Sequence, residues 1–243
     1  MEYRGPSVYD QEDFRKKYMN HRDRQDSPNI AIEKPIIYEL LGDFHGKSVL
    51  DLGCGNAAFG KELLHLGAKF YTGIEGSERM SALANQNLIE ENAQIYHETM
   101  ETFRYPTNEY EIITSRFAIH YVDDIQSLFQ NVYQSLKEDG RFIFSIQHPL
   151  TTSSFKSKKT GDRREDWIVD DYFIEGERKE PWIQKVVVKY HRTTEHYFHA
   201  LLKAGFTIVD LREGTPEREY FTNEGEFERR QRIPIVLMFS CRK

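Results

Sequence analysis

The residues with the most chemical potential lie between Asp51 and Glu75. Gly53-Cys54-Gly55-Asn56-Ala57-Ala58 follows the pattern G-x-G-x-x-A, and Glu75 stands 20 residues beyond Gly55. That spacing suits a strand, a tight glycine turn and a helix whose N-terminus faces a nucleoside, with the acid accepting the ribose hydroxyls. Nicotinamide dinucleotides and simpler nucleosides share the pattern, so the residue two places before the first glycine has to decide between them. It is Asp51. A pyrophosphate at a helix N-terminus needs positive potential and bare backbone N–H groups. A carboxylate at the mouth of the turn repels it and suits a ligand with an ammonium and no phosphate at that place. A dehydrogenase survives only if Asp51 turns away from the turn.

The elements that must position these residues alternate between short apolar runs and helical periods, the pattern of a mostly parallel sheet covered on both faces. Strands are predicted over 48–52, 69–75, 94–98, 110–115, 141–147, 206–211 and 234–240. A helix over 57–66 ends at Gly67, and Ser77 caps the next, which carries Met80, Leu83 and Ala84. The clearest helix spans 123–136: Ile125, Leu128, Phe129, Val132, Tyr133 and Leu136 form one apolar stripe, and Asp123 with Gln126 has capping-box spacing. Asp139-Gly140 turns the chain into the fifth strand, and Thr193 or Thr194 caps a helix stopped at Gly205. Two regions break the rhythm. Residues 1–46 are expected to be helical, with Pro35 in a first turn. Residues 149–192 form an insertion at the carboxyl end of the fifth strand, where α/β sheets bind ligands, and are read as a cap. That insertion starts basic (Lys156, Lys158, Lys159, Arg163, Arg164), then turns acidic and aromatic from Glu165.

Composition narrows the class. The 243 residues are 39% hydrophobic and 13% aromatic, enough for a folded core, and exclude a disordered chain. With 33 Lys+Arg against 39 Asp+Glu, the net charge of −6 argues against a broad grip on nucleic acid. The longest apolar run, 233–239, is too short for a membrane helix and contains Pro234, and the first 25 residues lack a signal-peptide pattern, so the cytoplasm is expected. Two cysteines, Cys54 and Cys241, make neither a disulfide framework nor a zinc site, and no metal is expected.

The motif order then carries a family resemblance. Val49-Leu50-Asp51-Leu52-Gly53-Cys54-Gly55 resembles the first motif of class I S-adenosylmethionine-dependent methyltransferases. Gly73-Ile74-Glu75-Gly76-Ser77, Tyr110–Ser115 and Leu136-Lys137-Glu138-Asp139-Gly140-Arg141-Phe142 resemble the later ones, over roughly 47–147. S-adenosylmethionine carries an ammonium and a sulfonium and no phosphate, as Asp51 requires. Ala57 stands where many members have a third glycine. The resemblance implies a Rossmann-like α/β fold: a seven-stranded sheet with its last strand antiparallel and helices on both faces. An N-terminal helical segment (1–46) would cover the cofactor site of the 47–243 domain, with 149–192 as the inserted cap. In the C-terminal half, Phe144–Pro149, Tyr172–Arg178 and His191-Arg192-Thr193 resemble a bacterial small-molecule subgroup that includes toxoflavin-type N-methyltransferases.

Roles follow as expectations. Gly53 and Gly55 admit the methionine part of the cofactor, Glu75 binds the ribose, and Gly76, Ser77 and Met80 flank the adenine. By resemblance, Thr99 and Met100 edge the adenine, Ser115 and Arg116 face the methionine portion, and Tyr18 and Arg22 clamp its carboxylate. If the acceptor must lose a proton, His148, His120 and His191 are the candidate bases, with His148 best placed at a strand end beside the cap. Trp167, Tyr172, Trp182 and Tyr190 would wall a planar acceptor. The expected activity is methyl transfer from S-adenosylmethionine, leaving S-adenosylhomocysteine, to a nitrogen or oxygen of a small molecule. The alternatives are an RNA methyltransferase, resting on 156–164, and a non-catalytic S-adenosylmethionine-binding protein. Oligomeric state is left open.

Overall fold

A computed structural model describes residues 2–157, 164 and 166–243. Lys158, Lys159, Arg163 and Glu165, part of the charged run in the insertion, lie outside the described residues.

The chain opens with β1 (Glu2–Arg4), α1 (Glu12–Arg22), and a π-helical stretch, Asn29–Glu33, that runs into α2 (Lys34–Leu41). Alternation then sets in: β2 (Ser48–Leu52), α3 (Ala58–His65), β3 (Phe70–Ile74), α4 (Glu78–Asn87), β4 (Ala93–Tyr96), β5 (Tyr110–Arg116), α5 (Ile125–Ser135) and β6 (Leu136–Gln147). After a short α6 (Pro149–Thr152) come β7 (Gly176–Trp182), β8 (Lys185–His191), α7 (Thr194–Ala204), β9 (Thr207–Arg212), α8 (Glu224–Gln231) and β10 (Val236–Arg242).

Seven strands form one sheet in the order β4-β3-β2-β5-β6-β10-β9, parallel except for β10, which runs antiparallel to both neighbours. The expected Rossmann-like sheet with an antiparallel last strand is therefore present. Both faces are buried because the strands alternate: Leu50, Leu52, Ile113 and Phe142 pack under α5 and α7, while Val49, Tyr71, Ile112 and Ile143 pack under α2 and α3.

Local signals set the element ends. Ser77 caps α4, its hydroxyl accepting the Met80 amide at 3.1 Å, and Thr193 caps α7. Gly205 ends α7 in the left-handed region at φ +107°, and Gly67 follows α3 at φ +103°. The α5 cap is Asp124, whose Oδ1 accepts the Ser127 amide at 3.0 Å, and not Asp123. The side chain that fits is the one three residues before an amide left free by the first turn. Asp139-Gly140 is an irregularity within β6, with Asp139 at φ +58°, and not a turn before it.

A second, three-stranded sheet was not foreseen. The segment expected to be wholly helical starts with β1, which pairs in parallel with β8, while β7 and β8 form an antiparallel hairpin. The chain's first residues and the insertion are thus one layer, resting on Tyr3, Val8, Phe14 and Val187.

Candidate active site

The turn after β2 is built from residues that tolerate positive φ. Gly53 sits at +76° and Gly55 at +61°, and a Cβ on Gly53 would stand 2.5 Å from the Ala118 Cβ. Only a residue without a side chain fits there. Ala57 also takes φ +54°, a strained left-handed position for a residue with a Cβ. The Gly53 and Cys54 amides donate to the Ile74 carbonyl at 2.8 and 3.0 Å, which fixes the turn against the end of β3.

Glu75 follows β3 directly. Its two carboxylate oxygens accept the Gly55 and Ser77 amides, each at 2.8 Å. The side chain is buried, and burial pushes its pKa up to about 7 although both amides pull it down. Each oxygen keeps acceptor capacity for a further hydroxyl donor.

Glu75, Gly53, Gly55, Gly76 and Met80 line a cavity of about 90 Å³. Tyr18, Thr99, Met100 and Arg116 complete much of its wall. Four other residues named from the sequence, Arg22, Ser77, Ser115 and Asp51, do not line it. Ser77 donates its hydroxyl to Asp10 Oδ1 at 2.6 Å. Ser115, buried between strands, donates to the Leu52 carbonyl at 2.8 Å. Asp51 points into the sheet, where its carboxylate accepts the Tyr71 hydroxyl at 2.7 Å and the Thr114 hydroxyl at 3.1 Å. The expectation that Asp51 guards the mouth of the turn is therefore corrected: on β2, Leu50 and Leu52 take one face and Asp51 takes the other with Val49. Asp51 then cannot by itself exclude a dinucleotide, and that discrimination rests on the relatives described below.

The N-terminal segment is expected over the cofactor site, but Gly5, Pro6 and Tyr9 are not singled out in it. Gly5, Pro6 and Tyr9 line the same cavity, and a Cβ on Gly76 would come within 2.4 Å of the Pro6 ring. Nor does the sequence pair Arg116 with Glu33. The Arg116 Nε lies 3.0 Å from each oxygen of the fully buried Glu33, its Nη2 also donates there, and Ser145 donates to the same carboxylate at 2.7 Å.

A larger cavity of about 670 Å³ adjoins, sharing Tyr9, Tyr18, Phe117 and Tyr121 with the smaller one. The Tyr9 and Tyr121 hydroxyls are 3.2 Å apart. Trp167, Trp182 and His120 line this cavity, as does Arg22, whose Nη1 donates to Asn56 at 3.0 Å. His120 is buried with Nδ1 lacking a hydrogen-bond partner. Burial, with Lys189 and Arg192 nearby, lowers its pKa well below that of a free imidazole.

His148, His191 and Tyr172 lie outside both cavities. His148 caps α6 by accepting the Leu150 amide at 3.2 Å, and its Nε2 meets Glu213 at 3.1 Å. His191 bonds Thr152 and the Tyr172 carbonyl, both at 2.8 Å. Both rings are fully engaged. Among the described residues no group of three or more His, Cys, Asp or Glu side chains could hold a metal ion. Among them also, no helix is long and apolar enough to cross a membrane.

A nucleoside with an amino-acid tail fits this donor set: a bare backbone cradle at Gly53 and Gly55 beside a buried carboxylate with free lone pairs. Known proteins agree. The model of a methyltransferase domain matches residues 50–144. An uncharacterized protein of Haemophilus influenzae is 31% identical over 98% of this chain and 97% of its own length. The crystal structure of an S-adenosylmethionine-dependent methyltransferase from Mesorhizobium loti superposes with a TM-score of 0.80 at 32% identity, covering 89% of this chain and all of that one. A ubiquinone biosynthesis O-methyltransferase of Nitrosomonas europaea is 27% identical over 45% of this chain. With the cradle, the sheet order and relatives that match nearly end to end, the chain belongs to the S-adenosylmethionine-dependent methyltransferases.

Proposed function

We propose that this methyltransferase acts on a nitrogen or oxygen of a small, planar molecule held in the larger cavity. The observation that supports the reading is the wall of Tyr9, Tyr18, Phe117 and Tyr121, which belongs at once to the cavity of Glu75 and the glycine turn and to the larger one. S-adenosylmethionine, when bound, supplies an electrophilic methyl on a sulfonium. Charge disperses in such a displacement, so alignment and exclusion of water supply most of the rate. The shared rings exclude water and set the approach, and Trp167 and Trp182 offer flat faces. Trp182 ends β7, which supports reading 149–192 as the acceptor cap; the resemblance to toxoflavin-type enzymes also favours a flat acceptor.

His120 is the residue assigned to an acceptor that carries a proton. Its imidazole is neutral at pH 7 and lines the larger cavity, where the ring can accept a hydrogen bond from an acceptor N–H or O–H, turning the acceptor's lone pair toward the methyl. The smaller cavity is well under the roughly 300 Å³ of a small ligand site. Residues 5–10 and Tyr18 must therefore yield, or the ligand must reach into the larger space. Cytoplasmic residence suits the two free thiols, Cys54 and Cys241. Incubating the chain with methyl-labelled S-adenosylmethionine and a pool of flat N- and O-nucleophiles tests the reading; label transfer with release of S-adenosylhomocysteine is expected, and calorimetric binding of S-adenosylhomocysteine without transfer to any of them would overturn it.

A further inference from the structure

The larger cavity is lined by seven Lys or Arg side chains against three Asp or Glu among the described residues. This excess is unusual in a chain whose net charge is −6. All seven line this cavity and not the smaller one, and three of them, Arg164, Arg229 and Arg230, are linked through shared partners. Arg229 and Arg230 both pair with Glu226, at 2.9 and 2.6 Å. Arg164 is buried and spends both terminal nitrogens on the Thr151 carbonyl at 3.2 Å, which carries no charge. Arg229 Nε donates to the Arg164 carbonyl at 3.0 Å, which ties the cluster together.

Arg230 is the strained member. Its side chain is 11% exposed, and its Nε is buried with no hydrogen-bond partner. Burial, and repulsion from Arg229, pull its pKa down to about 10 although Glu226 and Asp26 oppose this. A buried guanidinium that leaves an N–H unpaired costs free energy, part of which an incoming anion recovers. The fork of an arginine matches the paired oxygens of a carboxylate or phosphate.

We infer that the methyl acceptor carries an anionic group, a carboxylate or a phosphate, that seats against Arg164, Arg229 and Arg230 while its flat body lies toward Trp167 and the shared tyrosines. The inference rests on the proposed use of this cavity as the acceptor site. An enclosed cluster on α8 and the insertion holds one such group; an RNA strand needs an exposed basic stripe along its backbone.

The test is calorimetry on the full chain, first with S-adenosylhomocysteine alone, then with the saturated protein and three probes: benzoate, phenyl phosphate and benzamide. Saturable binding of benzoate or phenyl phosphate and none of benzamide is expected, the better of the two naming the anion. Arg230→Gln and Arg164→Gln should each weaken that binding by at least about tenfold while leaving the S-adenosylhomocysteine isotherm unchanged, which also reports that the variant is folded. Equal binding of benzamide, or no probe binding to protein that still takes S-adenosylhomocysteine, overturns the anion site and leaves the methyltransferase standing. Tighter binding of an RNA oligonucleotide, lost steeply with salt, also overturns it. A chain that ignores S-adenosylhomocysteine fails at the earlier step, the cofactor cradle.

Discussion

The Glu75 carboxylate accepts the Gly55 amide at 2.8 Å, so the acid that would hold a ribose also holds the glycine turn. The same group titrates near pH 7 because it is buried. Hydroxyl donors favour the carboxylate over the acid, so ligand binding lowers this pKa and releases a proton. S-adenosylhomocysteine affinity should therefore rise with pH through about 7 and level off above about 8. The fold responds with the opposite sign: a pKa raised above its unfolded value gives stability present below about 4.5 and lost as pH rises toward about 7. Calorimetry from about pH 6 to about pH 8.5 checks the first statement, and a flat affinity over that range would remove Glu75 from the ribose site.

Gly53→Val should abolish the thermal shift given by S-adenosylhomocysteine. The new Cβ would lie 2.5 Å from Ala118 and 3.1 Å from Met100, both walls of the cradle, with φ at +76°. A cost of about 1–3 kcal/mol in ligand-free stability is expected as well. Gly46→Ala is the control, since Gly46 shares a positive φ but has nothing within 4 Å of its Cβ. It should lose only about 1–2 kcal/mol and keep the full ligand response.

The alternation of strands and helices was legible because each element announces itself locally. The α5 stripe, the Ser77 and Thr193 caps and the Gly67 and Gly205 stops all act within one or two turns of chain. The three residues of β1 have no such signal, and their partner, Val186 to Val188, lies more than 180 residues away. The direction of Asp51 illustrates another limit. A parallel strand covered on both faces is apolar on both sides of its alternation, so nothing adjacent said which face the carboxylate took. The engagement of His148 by Glu213, and of His191 by Thr152, depends on side chains supplied from elsewhere in the fold.

Breaking the Glu33–Arg116 pair should be costly. Burial alone would lower the Arg116 pKa, and the charge and hydrogen bonds of Glu33 more than offset it. Glu33→Ala leaves that guanidinium 19% exposed and without its carboxylate. A loss of about 3–5 kcal/mol is expected from chemical denaturation, larger than for Glu33→Ala made in an Arg116→Met background. Equal costs in the two backgrounds would mean that the pair contributes nothing as a pair.

The histidines divide by geometry. His148 stands at the end of β6, where sequence reasoning favours a base, yet both its nitrogens are taken and it lines neither cavity. His148→Ala should therefore lower stability by about 1–2 kcal/mol through the lost α6 cap and leave kcat nearly unchanged. His120→Ala should do the reverse: kcat falls by about 10²-fold or more with an acceptor that loses a proton, and S-adenosylhomocysteine affinity is kept. An acceptor amine already free of its proton should feel much less of that loss, because only alignment is then required. Measuring kcat for both variants with one acceptor of each kind separates the roles, and a His148→Ala enzyme as impaired as His120→Ala would return the base to the strand end.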